Sequence, residues 1–171
     1  MFGYGSLIWN PGFPHRERLK ARLPNFARRF YQGSSDHRGT PASPGRVVTL
    51  LPIEGEHCDG VVYRVDAADW PKTLSYLDIR EQGGYEQMML QVHTQAGTLS
   101  ALTYVGQTDN PDYLGPAPLE AMAQQIAQSS GPSGLNRDYV ERLWRALTEL
   151  TVCDAHVDAL WSEVSQRVNQ H

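Results

Sequence analysis

Cysteine is scarce in this chain: Cys58 and Cys153 stand far apart, form no C-x-x-C pattern, and leave too few thiolates for a cysteine-built zinc site. Six histidines are present, His15, His37, His57, His93, His156 and His171, and none has another at the i, i+4 spacing of a helical metal site, so no metal is expected. An excess of positive charge is also missing. The formal net charge of -4 gives no electrostatic reason for a polyanionic partner, which argues against nucleic acid. The opening Met1-Phe2-Gly3-Tyr4 lacks the basic start and apolar stretch of a signal peptide, and no run approaches the length of a membrane span, so no membrane partner is expected. A reducing, cytoplasmic setting fits these absences. No G-x-S-x-G elbow surrounds Ser6, and the glycines near the start lack both G-x-G-x-x-G spacing and a P-loop lysine, so neither covalent catalysis nor a bound cofactor is indicated.

What is present is ordinary for a folded protein. At 171 residues, 40% hydrophobic and 20% charged, the chain suits a single domain over residues 1–171, a monomer or weak oligomer. Periodicity divides it into a strand-rich front and a helix-rich back, an α+β pattern. Met1 to Leu7 reads as a strand ending at the Trp9-Asn10-Pro11-Gly12 breaker, and Phe26 to Gln32 as a second strand before a Gly33 to Gly45 loop. Arg46 to Leu51 and Gly60 to Val65 read as neighbouring strands of a hairpin turning at Pro52 to Asp59. A helix is expected over Ala67 to Glu81, capped by Asp66, bearing Trp70, Leu74 and Leu77 on one face and stopped by Gly83-Gly84. Tyr85 to His93 and Leu99 to Val105 then form a hairpin across Gly97. Three helices follow, the first ending at Ser130-Gly131-Pro132 and the others capped by Asn136 and Asp154.

Two places carry chemistry. Glu81 falls four residues after Leu77 and seven after Leu74, which puts a carboxylate on the apolar face at the end of its helix. Burial there raises a carboxyl pKa toward the range a general base needs; the plainer alternative is a glutamate at a frayed end, paired with Arg80 or another arginine. Phe2-Gly3-Tyr4-Gly5-Ser6-Leu7 is the second place. Glycines at a strand end let backbone N–H groups approach a carboxylate or developing oxyanion, and the same glycines also suit a bulge or close chain packing. The polar loops Asp36-His37-Arg38-Gly39 and Asn110 to Pro116 either line a cleft or simply turn the chain.

Taken together, Phe2 to Trp9, Arg28 to Ser34, Asp36 to Gly39, Pro44 to Leu50, Tyr76 to Tyr85, Asn110 to Pro118 and Gly131 to Gly134 resemble, in order, the ChaC-type γ-glutamylcyclotransferases. That resemblance covers nearly the whole chain. It implies a small mixed β-barrel flanked by helices, no cofactor, and conversion of glutathione to 5-oxoproline and cysteinylglycine. Its glutamate carries over to Glu81, and its γ-glutamyl-binding turn to Gly3, Tyr4, Gly5, Ser6 and Leu7. Tyr113 and Arg38 join them as substrate-binding candidates, with Arg38, Arg46 or His37 as a partner for the glycine carboxylate of glutathione. The chain begins one residue before Phe2, where the family has a longer lead-in, so either the first strand is short or the start lies elsewhere. Tyr31 stands where tryptophan is common. Two other functions stay open: cyclisation of other γ-glutamyl amines or amino acids, and a non-catalytic binding or regulatory protein of the same fold.

Overall fold

A computed structural model describes residues 1–168; His171, one of the six histidines, lies outside them. Five strands form one sheet in the order β1-β3-β2-β4-β5: β1 (Phe2–Gly3), β2 (Glu17–Ser34), β3 (Gly45–Arg64), β4 (Tyr85–Thr94) and β5 (Gly97–Gly106). Four helices accompany it, α1 (Trp70–Arg80), α2 (Leu119–Gln128), α3 (Asn136–Glu149) and α4 (Ala155–Val168), and β6 (Ser130–Gly131) pairs with β7 (Gly134–Leu135) in a small second sheet. The chain falls into two compact units, one of Met1–Ala27 with Leu50–Gln107, the other of Arg28–Thr49 with Thr108–His171. Long β2 and β3 contribute residues to both.

The first unit holds β1, α1, β4, β5 and the outer stretches of β2 and β3. Alternation of Arg18, Lys20 and Arg22 with Leu19, buried Ala21 and buried Leu23 is a period-two strand pattern, which is why β2 begins nine residues before the expected Phe26. The expected hairpin within 46–65 is corrected: β3 runs unbroken through Pro52 to Asp59. Gly55 and Asn25 both adopt positive φ, at 82° and 60°, and the Asn25 side chain accepts from the Gly55 amide at 3.1 Å. The turn-forming residues therefore kink two running strands instead of reversing one. The β4–β5 hairpin forms as expected, with Thr94 opposite Gly97.

The expected mixed β-barrel is such only loosely, because the sheet is open, with β1 and β5 as its two edges. These edges are stitched by side chains: the Thr103 hydroxyl donates to the Phe2 carbonyl at 3.1 Å, and the Tyr4 hydroxyl to the Tyr104 carbonyl at 2.7 Å. They satisfy backbone oxygens that a ladder would otherwise occupy.

Helix α1 starts three residues later than expected, with Asp69 at its cap and Pro71 in its first turn, where the missing N–H costs nothing. Asp66 is not the cap. Its carbonyl accepts from the Asp69 and Trp70 amides, both at 3.0 Å, while its carboxylate pairs with Arg16. Fully buried Leu77 anchors the helix, and Gly83 and Gly84, at φ 87° and 88°, end it.

In the second unit α2, α3 and α4 pack on one another through Met122, Ala123, Ile126, Val140, Leu143, Leu147, Val157, Leu160 and Val164, all buried. Asp154 caps α4, accepting from the Val157 amide at 3.2 Å, and also pairs with buried Arg28 at 2.6 Å. Asn136 does not cap α3. It is the first helical residue, fully buried, and its amide bonds both the Arg46 N–H at 2.7 Å and the Arg46 carbonyl at 2.8 Å. A side chain that serves a strand on both sides is not available to its own helix.

Candidate active site

The glycine turn is built by close approach. A Cβ on Gly3 would lie 2.7 Å from the Leu7 Cβ, and one on Gly60 of β3 would collide with the Gly3 carbonyl, so both positions hold the chain tightly folded only as glycine. After β1 the backbone enters a 3₁₀ turn over Ser6–Ile8, closed by Ile8 N–H to the Gly5 carbonyl at 3.0 Å and Asn10 N–H to the Ser6 carbonyl at 2.9 Å. The amides of Ser6 and Leu7 lie at its opening end, where such a turn leaves N–H groups without acceptors of its own. Its far end is pinned by the Tyr63 hydroxyl, which donates to the Leu7 carbonyl at 2.7 Å, and by Arg18, which donates to the Ile8 carbonyl at 3.1 Å.

The side chains of the turn divide by role. Leu7 and Tyr4 are each 6% exposed, and the Tyr4 hydroxyl is committed to Tyr104, so both residues offer a ligand backbone only. Ser6 is half-buried and its hydroxyl accepts from Arg80 at 2.7 Å.

Glu81 caps the C-terminal end of α1, its amide making the last helical bond to the Leu77 carbonyl at 2.8 Å. Its side chain is 18% exposed, largely withdrawn from water as its spacing from Leu77 predicts, and its carboxylate lies 3.4 Å from the Arg80 guanidinium. The two readings of Glu81 thus coincide: it is sheltered and it has an arginine partner. Through Arg80, which bonds Ser6 and faces Glu81, the carboxylate and the glycine turn belong to one cluster.

Three further side chains join that cluster. Tyr104 of β5 donates from its hydroxyl to Asp78 of α1 at 2.5 Å, and Gln87 of β4 donates both to Asp78 at 2.5 Å and to the Tyr104 hydroxyl at 3.3 Å. Burial pushes the Tyr104 phenol far above its ordinary value, with the Asp78 bond and the nearby Glu81 charge adding to the effect. It stays a neutral donor at any working pH. From sequence Arg80 was named only as a partner for Glu81, and none of Asp78, Gln87 and Tyr104 was singled out. The i, i+3 spacing of Asp78 and Glu81 is a faint signal, but nothing in the primary structure tells that β5 reaches the end of α1.

Arg38 and Tyr113 belong to the second unit. The Tyr113 loop is laced to β2: Gly33 N–H bonds the Asp112 carbonyl at 2.7 Å, Leu114 N–H bonds the Tyr31 carbonyl at 2.8 Å, and Gln32 and Asn110 exchange amide bonds at 3.1 Å. Burial raises the Tyr113 phenol above its usual value. Arg38 donates to the Leu135 carbonyl at 3.2 Å and lies over the Tyr139 ring at 5.7 Å. His37 pairs with the Ser133 hydroxyl at 3.1 Å. Arg46 is spent: 6% exposed, it serves the Phe30 and Gly115 carbonyls, each at 3.0 Å, and Gln125 at 2.7 Å, which removes it as a partner for a substrate carboxylate. Among the described residues no group of three or more His, Cys, Asp or Glu side chains is gathered as a metal ion would require.

Residues 1–167 match the family described as ChaC-like protein. The chain belongs to that family. Among curated ChaC-type relatives it is 42% identical to Gamma-glutamylcyclotransferase 2-3 of Arabidopsis thaliana, covering 96% of this chain and 87% of that one. It is 44% identical to Glutathione-specific gamma-glutamylcyclotransferase 1 of Homo sapiens, over 84% of this chain and 67% of the relative. Among solved structures, a glutathione-specific γ-glutamyl cyclotransferase from yeast superposes with a TM-score of 0.93 at 31% identity, covering 99% of this chain and 96% of that one. The ChaC-like fold is thus the mixed α+β architecture described above, with an open antiparallel sheet and four helices.

Proposed function

We propose that this chain is a glutathione-specific γ-glutamylcyclotransferase, converting glutathione to 5-oxoproline and cysteinylglycine without metal or cofactor. Supporting the substrate are the ChaC-like membership and the glutathione-specific relatives from human and yeast. The observation that carries the chemistry is a sheltered carboxylate, Glu81 at 18% exposure, coupled through Arg80 to the glycine turn.

Glutathione's α-ammonium has no lone pair and must lose a proton before it can attack. Glu81 takes that proton. The freed nitrogen then attacks the γ-carbonyl carbon of the same molecule, closing a five-membered ring, so the enzyme has only to fold the substrate into a near-attack shape. Negative charge appears on the γ-carbonyl oxygen, and the Ser6 and Leu7 amides at the mouth of the 3₁₀ turn are assigned as the donors that receive it. As the old amide bond breaks, two protons pass in turn from the attacking nitrogen to the leaving one, with the single carboxyl group as relay. No acyl-enzyme is needed. The thiols of buried Cys58 and exposed Cys153 are compatible with a reducing cytoplasm, where glutathione is abundant as the thiol.

The test is direct. Purified protein is incubated without added metal with glutathione, γ-glutamyl-alanine or γ-glutamyl-lysine, and 5-oxoproline is measured from each. Product from glutathione alone is the expected result, and Glu81→Gln, nearly isosteric but unable to accept the proton, is expected to abolish it while the thermal melt stays unchanged. Equal turnover of all three substrates would reject the specificity, and parental turnover by Glu81→Gln would reject the mechanism.

A further inference from the structure

We propose that Arg80 is a positioning residue for the cyclisation, a multi-point tie that fixes the glycine turn and the Glu81 carboxylate at one spacing; the inference rests on the reaction proposed above. Its side chain is only 15% exposed and its donors are distributed over separate pieces of chain. Nη2 donates to the Ser6 hydroxyl at 2.7 Å, and Nη1 donates to the Asn10 carbonyl at 2.6 Å, the Pro11 carbonyl at 3.1 Å and the Tyr76 hydroxyl at 3.1 Å. Nε faces Glu81 at 3.4 Å. The Tyr76 ring covers the guanidinium at 5.9 Å and rests against Gly12, where a Cβ would collide with the tyrosine hydroxyl. The planar fork is therefore clamped from several sides, an arrangement that arginine supports and a point charge does not.

The consequence concerns geometry more than adhesion. The turn carries its own closing bonds, from Ile8 to Gly5 and from Asn10 to Ser6, so it remains formed without Arg80. What is lost is its register to the end of α1. Substrate held by the turn then meets Glu81 at the wrong distance, and a misplacement of about 1 Å is enough to cost on the order of 100-fold in rate. Ground-state binding by the turn changes far less. Arg80 accordingly contributes to kcat and little to KM, which separates it from a residue that merely grips the substrate.

Steady-state kinetics with glutathione on Arg80→Met, Arg80→Lys and Glu81→Gln test this, with circular-dichroism melts to confirm folding. Arg80→Met keeps the apolar stem, and its kcat is expected to fall by about 100-fold with KM within about threefold of the parent. Arg80→Lys keeps the charge but its single ammonium cannot span the separated acceptors, so it is expected to recover less than about a tenth of the parental kcat. Parental kcat in either variant overturns the proposal, as does an Arg80→Met effect confined to KM. If Arg80→Met does not fold, Arg80→Lys decides by the same criterion. Glu81→Gln keeps the two levels distinct: inactive Glu81→Gln beside fully active Arg80 variants removes only the tie, whereas active Glu81→Gln removes the reaction on which it rests.

Discussion

Tyr104 is a residue whose backbone and side chain do separate jobs. Its carbonyl accepts from Tyr4 across the sheet edges, and its hydroxyl reaches Asp78 beside the catalytic candidate. Tyr104→Phe isolates the second job, because only the hydroxyl is removed. Asp78 keeps Gln87 as a donor, so the expected cost is that of one hydrogen bond to a charged group, roughly 1.5–3 kcal/mol, discounted toward the lower end because Asp78 is exposed to solvent. Urea unfolding measures it. No loss of stability would mean that water replaces the phenol without penalty. The shelter of the Glu81 side chain was legible in the sequence, because its distance from Leu77 and Leu74 is an arithmetic property of a helix. The reach of Arg80 beyond Glu81 was not, since an arginine next to a glutamate carries no information about Ser6, Asn10 or Pro11, which are about seventy positions away.

At the scale of elements, Asn136 shows how one side chain sets a helix in place. Its amide occupies both the N–H and the carbonyl of Arg46, at 2.7 and 2.8 Å, so β3 and α3 are joined in a dry environment. Asn136→Ala leaves two buried backbone groups unpaired and is expected to cost roughly 2–4 kcal/mol, while Asn136→Asp, which keeps the acceptor and loses the donor, is expected to fall between. Chemical denaturation of the three proteins ranks them, and equal midpoints would show that the bonds are dispensable. The same residue marks the limit of reading elements from sequence. Asparagine before a helical stripe is the ordinary signature of a cap, and only the tertiary structure reveals a competing use. Helix α1, the β4–β5 hairpin and α2 to α4 were legible from periodicity and glycine stops. The continuous β3 was not, because Pro52, Glu54, Gly55 and Glu56 make a polar, turn-rich stretch whose reversal the neighbouring strand prevents. Early β2 was legible in principle, its charged and apolar residues alternating from Arg18 to Leu23.

For the molecule as a whole, the titration of His156 ties stability to pH. Burial, followed by the charge of Arg29, lowers its pKa from 6.5 to about 4, and its Nε2 accepts from the Phe30 amide at 3.1 Å, which only the neutral ring can do. The unfolded chain therefore takes up this proton first as pH falls. Stability is fully present above pH 6.5, declines between 6.5 and about 4, and levels off below, with a total loss on the order of 3 kcal/mol from this group. His156→Gln, which keeps an acceptor but does not titrate, is expected to show a flatter dependence of melting temperature on pH across that window. Parallel curves for the two proteins would exclude His156 as the source.

The path of the backbone has a consequence for how such a protein can be inherited. It changes unit after Ala27, after Thr49 and after Gln107, and β2 and β3 each straddle a change. No single break in the reading frame can release either unit as an unbroken fragment. Gene fusion and duplication must carry the pair together, and recombination within β2 or β3 cuts a strand to which both units contribute.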